Sequence, residues 1–162
     1  MARSRSIHRP LRRFTQVGGR RRALVIEAVA CLLLARLGLI FVPFPKLARR
    51  LGDFVPPGDP RALAARVKGE QEAAALAEEI GWAVTRSARY VPFKAVCLPQ
   101  AMAARMMLRR RRVASVMHFG AAKNTTLGDE KPLDAHAWLD AAGVKVTGYP
   151  VAEKFAEIAC FV

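Results

Sequence analysis

The sequence predicts an α+β fold in which a cysteine-bearing helix packs on a small antiparallel sheet, with a helical segment at the N-terminus. Three stretches carry that prediction. CLPQAMAARMMLRRRR, residues 97–112, reads as a helix that begins at Cys97. Its alanines, methionines and leucine form helix readily, and Pro99 falls in the first turn, where a missing N–H costs nothing. DAHAWLDAAGVKV, residues 134–146, reads as a strand carrying His136, a turn and a returning strand. VASVMHFG, residues 113–120, is a short β-branched and apolar run, which reads as a third strand. The sheet is therefore expected from segments 113–120, 135–140 and 144–149.

A chain of 162 residues suffices for one domain with a core and hardly for two. The expected division is a basic arm over 1–22, an apolar helical segment over 23–53 and the main domain over 61–162. The net charge of +14 suggests nucleic acid until it is located. Residues 1–50 hold 12 Lys/Arg against Glu27 alone, residues 51–96 balance six against six, and residues 97–162 carry nine against six. A basic arm of this kind meets acidic lipid, an acidic protein or peptide, or RNA. No RNA- or DNA-binding motif accompanies it, so nucleic acid ranks last. His8 within the arm reads as a solvated residue.

From Ala23 to Phe44 comes the most apolar stretch, ALVIEAVACLLLARLGLIFVPF. A signal peptide is the weakest reading, since no Ala-x-Ala site follows the run and Pro43-Phe44-Pro45 does. Glu27 and Arg36 interrupt it, and each costs about 2.5–3.5 kcal/mol at mid-bilayer. Nine residues apart, they fall on opposite sides of a helix, which also argues against a clean surface-lying amphipathic helix. A helix packed within the protein, or against a partner, is preferred, with membrane contact through residues 23–44 as the alternative.

FVPPGDP, residues 54–60, is the clearest punctuation. Asp59-Pro60 can start the next helix, and residues 61–89 are Ala-rich with an apolar stripe at Leu63, Val67, Leu76, Ile80 and Val84. Gly69 and Gly81 are the points where that helix can break, and Pro92 ends it. Trp82 and Tyr90 read as core or rim aromatics, and His118 as a structural or surface histidine. Residues 121–132 form a polar loop placed to border a cleft.

The chemistry rests on Cys97 and His136. A thiol at a helix start faces the positive pole of the helix dipole, which favours the reactive thiolate. Separation by 39 residues forces no contact, and buried structural roles for both compete with catalysis. If Ala141-Ala142-Gly143 is a three-residue hairpin loop, Asp140 pairs with Val144 and His136 faces Gly148, where an orienting acid belongs. Asp140 shares the face of His136 but lies about 13 Å along the strand. Asp134, Asp129, Glu130, Glu153, a backbone carbonyl or a bare dyad all stay open for the third position. Three cysteines, Cys31, Cys97 and Cys160, at wide spacing suggest neither a disulfide framework nor a zinc ribbon, and a reducing cytoplasm fits them. No metal or cofactor is expected.

At these residues the chain resembles the leader peptidases of lasso-peptide biosynthesis, a family of transglutaminase-like cysteine proteases. CLPQAMAARMMLRRRR, the strand after it and AHAWLDAAGVKVTGYP carry the likeness, which extends upstream through PFPKLARRLG to the basic N-terminus. The order is that of papain-like and transglutaminase-like thiol enzymes: cysteine on a helix, histidine on a later strand. The resemblance implies removal of the leader from a ribosomally made precursor peptide, with Cys97 as nucleophile and His136 as general base. It also implies a separate leader-recognition protein, because no additional domain fits before Cys97, and an ATP-dependent lasso cyclase that receives the core peptide. Two positions depart from the family: Arg112 stands where a glycine ends the helix, and Gly148 where an acid follows the histidine. Two other readings are a basic membrane- or protein-docking module with structural Cys97 and His136, and a transglutaminase-like acyl transferase.

Overall fold

The computed structural model describes residues 18–67, 69–123 and 133–162. Most of the basic arm with His8, and the loop with Asp129 and Glu130, lie outside the described residues. Helix α1 spans Gly19–Phe41 and α2 spans Phe44–Leu51, followed by the two-residue strand β1, Phe54–Val55. Then come α3 (Pro60–Arg66), α4 (Gln71–Ser87) and α5 (Cys97–Arg110). Strands β2 (Val116–Lys123), β3 (Leu133–Ala141) and β4 (Val144–Thr147) follow, then a short 3₁₀ turn (Val151–Lys154) and β5 (Ala156–Phe161). One antiparallel sheet results, in the order β1-β5-β2-β3-β4.

The apolar segment at the N-terminus is part of the main core. Leu24, Ala28, Cys31, Leu32 and Ala35 of α1 are buried in one cluster with Ile80 and Val84 of α4, Met107 and Leu108 of α5, and Leu139 of the sheet. Glu27 is tolerated because Arg111 grips its carboxylate at 2.6 Å and Arg110 lies 3.4 Å away. The Arg111 hydrogen bond outweighs burial and holds that carboxyl below its ordinary value.

Three details of the helices and turns differ from expectation. The stretch 61–89 is two helices, α3 ending at Arg66 and α4 beginning at Gln71, with the Gly69 N–H on Ala142 O at 3.3 Å. Gly81 does not break α4; it lets the helix lie against β4, where a Cβ would come within 2.5 Å of Val146 O. The hairpin turn has two residues, Ala142-Gly143, at φ 50° and 77°, so Ala141 pairs with Val144. A turn with both φ positive matches the twist of the flanking strands, and a bulge beyond Asp140 absorbs the extra residue and sets Leu139 opposite Thr147.

Strand β2 starts three residues later than expected because residues 111–115 leave the helix. Arg112 is left-handed, φ 58°, and the Val113 N–H closes on Leu108 O at 3.1 Å. Arginine thus occupies the conformation that glycine adopts without cost. Arg112→Gly is expected to stabilise the protein by about 1 kcal/mol, read as a higher denaturant midpoint at unchanged slope. A lower midpoint would mean that the side chain contributes more than the strain costs.

Candidate active site

Cys97 is the first residue of α5 and is half-buried. Its neighbourhood is pinned from both sides: the Gln100 N–H reaches Val96 O at 3.3 Å, and Gln100 Nε2 donates to Ala95 O at 2.7 Å. Val96 at the cap offers no side-chain acceptor. The first-turn N–H groups of a helix have no partner within it, so Cys97 opens a turn whose amides are suited to a developing oxyanion.

His136 is held separately, near the start of β3. Its Nε2 meets Gly148 O at 2.8 Å, and its ring stacks between Phe155 at 4.9 Å and Trp138 at 6.1 Å. Donation to a carbonyl requires the proton on Nε2 and leaves Nδ1 as the basic nitrogen. Position 148 thus does orient the histidine, but through its backbone. Gly148 sits at φ 90°, and a Cβ there would fall 2.6 Å from Trp138 Cβ and 2.9 Å from Ala137 O.

Among the described residues no hydrogen bond joins the Cys97 thiol to His136. Strand alternation puts His136 with Trp138 and Asp140 on one face of β3, and Leu139 and Ala141 on the other, which packs on the helices. Glu153 is paired with Lys145 at 2.8 Å.

Sequence reasoning missed a buried polar network beside this site. His118, fully buried, lies 2.6 Å by Nδ1 from Glu157 and 3.3 Å by Nε2 from Asp140. Arg66 binds Glu157 at 2.6 Å, the Cys160 thiol donates to the same carboxylate at 2.7 Å, and Tyr149 donates to Asp140 at 2.7 Å. Burial pushes the Cys160 thiol up to about 12, so it stays protonated and donates. Burial and the Asp140 hydrogen bond likewise raise the Tyr149 hydroxyl. His118 also stacks on Trp138 at 5.4 Å, so a row of rings runs His118, Trp138, His136, Phe155. The sequence signal was alternation: 118, 136, 138 and 140 all fall on one face once β2 and β3 are in register.

His118, Glu157 and Cys160 offer donor atoms within 4.8 Å of one another, a set that suits zinc by type. Here those donors bond to each other, and Arg66 Nη2, 3.0 Å from His118 Nδ1, already supplies a positive charge. The cluster fits an ion network better than a cation cage, although the buried His118 Nε2, 3.3 Å from Asp140, makes no hydrogen bond.

No curated protein and no solved structure matches the chain. A family model described as the transglutaminase-like superfamily matches residues 38–160, which takes in α2 through β5 together with Cys97 and His136. With a cysteine opening a helix, a histidine oriented on the adjoining sheet, and that match over most of its length, the chain belongs to the transglutaminase-like superfamily, which includes cysteine peptidases and acyltransferases.

Proposed function

We propose that the protein is a cysteine peptidase that removes the leader from a ribosomally synthesised lasso-peptide precursor, with Cys97 as nucleophile and His136 as general base. The observation that carries the reading is His136 itself: Nε2 tied to Gly148 O and the ring clamped by Phe155 and Trp138 leave Nδ1 as the proton acceptor. The C-L-P-Q helix start and the A-H-A-W strand supply the specificity of the resemblance.

In this reading His136 Nδ1 takes the Cys97 proton as the sulfur attacks the scissile carbonyl. The carbonyl oxygen becomes an oxyanion facing the first-turn amides of α5. Collapse expels the core-peptide amine, which takes the proton from His136 and leaves the leader as a thioester. Water, deprotonated by His136, releases the leader acid and restores the thiol. The transfer requires the Cys97 thiol within hydrogen-bond reach of Nδ1, whereas here His136 lies on the face of β3 opposite the one on which α5 packs. A separate leader-recognition protein presents the precursor, an ATP-dependent cyclase receives the product, and the free cysteines suit the cytoplasm.

Cys97→Ala and His136→Ala are each expected to lower precursor cleavage by about a thousand-fold or more while the fold is retained, measured by mass spectrometry and circular dichroism. Cleavage that persists in Cys97→Ala sinks the proposal. An added primary amine that captures the acyl group in preference to water assigns the same residues to an acyl transferase. Full cleavage without any partner removes the leader-recognition protein from the scheme.

A further inference from the structure

Helix α1 has a second face. Its buried residues, Leu24 through Ala35, all lie on one side, and the opposite side carries Ile26, Val29, Leu33, Leu37 and Ile40 in a continuous exposed stripe. Ile26 is 62% exposed, Ile40 56% and Phe41, at the end, 76%. At about 100° per residue, Glu27 falls about 120° and Arg36 about 60° from the stripe's centre, on opposite sides of it. Each marks one border between the buried and exposed faces. The two charges that interrupt the run are therefore absent from the stripe itself, and Glu27 is further tied down by Arg110 and Arg111.

We propose that this face docks in the plane of an anionic lipid surface. The helix is long and apolar enough to cross a bilayer, but crossing would strip Leu24, Ala28, Cys31, Leu32 and Ala35 from α4 and α5. Lying flat keeps that core and removes the exposed stripe from water. Charge selects lipid over a protein partner of ordinary composition. Lys46, Arg49 and Arg50 on α2 are exposed just beyond the stripe, and the sequence before α1 adds five arginines from Arg3 to Arg13. An uncharged apolar band with cations at both ends, in a segment whose one acid is neutralised, is the pattern that anionic headgroups and acyl chains bind together.

The test is co-sedimentation of the full chain with phosphatidylcholine vesicles with and without about one-quarter phosphatidylglycerol. The expected result is binding to the anionic vesicles, with partitioning reduced about ten-fold or more by omitting phosphatidylglycerol or by raising salt to about 0.5 M. Leu33→Glu combined with Ile40→Glu is expected to cut partitioning by a similar factor while leaving circular dichroism unchanged, since both side chains are exposed. Chain that stays in the supernatant with anionic vesicles overturns the proposal. So does binding that the double substitution leaves intact, which would assign it to the arm alone, and so does resistance to alkaline carbonate extraction, which would mean a span. Self-association lost in the double variant, without vesicle binding, would make the face a dimer interface instead.

Discussion

Gly148→Asp is expected to destabilise the protein by about 3 kcal/mol or more and to leave the proposed precursor cleavage at or below the wild-type rate. Family resemblance suggests the opposite, because an acid at this position would complete a triad. Two independent facts oppose it. The backbone is at φ 90°, where a side chain is strained. Any Cβ is also directed at Trp138 Cβ, 2.6 Å away, and at Ala137 O, 2.9 Å away. Relief of that clash moves Trp138, and with it the ring that holds one side of His136. Gly148→Ala separates the two effects: it carries the strain and the clash without the acid, and is expected to lose nearly as much stability. Equilibrium denaturation of both variants beside a cleavage assay decides the matter. A Gly148→Asp protein of wild-type stability and raised activity would show that position 148 accepts a side chain.

Glu157→Gln is the second large effect, about 2–4 kcal/mol of lost stability. Glu157 is the hub at which Arg66, His118 and the Cys160 thiol meet, and its removal leaves the Arg66 guanidinium without its nearest counter-charge. The same residue gives the stability a pH dependence. Burial opposes its charge, but hydrogen bonds from Cys160, Arg66 and His118 outweigh burial and hold the carboxyl below its ordinary value. A depressed folded value means that the contribution is complete above the unfolded value of about 4.3 and is lost as pH falls through the folded one. Wild-type stability should therefore drop on acidification below that point, with Glu27 adding to the slope through its own Arg111 bond. The Glu157→Gln protein should show a shallower drop, measured as denaturant midpoint against pH. Parallel profiles would mean that Glu157 has the same proton affinity folded and unfolded.

Periodicity made the Cys97 helix and the β2–β3–β4 part of the sheet legible, since each is a run of the right period with Gly or Pro at its ends. It did not reveal β1, because two residues, Phe54 and Val55, have no period. Nor did it reveal that FVPPGDP does more than punctuate: Val55 pairs with Cys160 from the far end of the chain. The buried network escaped for a related reason. Arg66, His118, Asp140, Tyr149, Glu157 and Cys160 stand on five segments, and each alone reads as an ordinary polar or reactive residue. Only the register of β2 with β3 and β5 brings them together. Gly148 was legible as a position, and a backbone carbonyl was among the groups left open there; which of them His136 uses was not legible, because composition records side chains and not backbone geometry.

The pairing of β1 with β5 also sets a timetable for synthesis. Helix α1 emerges first, yet the surfaces that bury it belong to α4 and α5, and the sheet gains its β1 edge only when Cys160 and Phe161 have been added. Closure of so long a loop is slow, and until α4 and α5 have followed it the largely apolar α1 lacks the surfaces that bury it. Fragments cut before β5 are expected to aggregate, and fragments that omit α1 to lose one wall of the core.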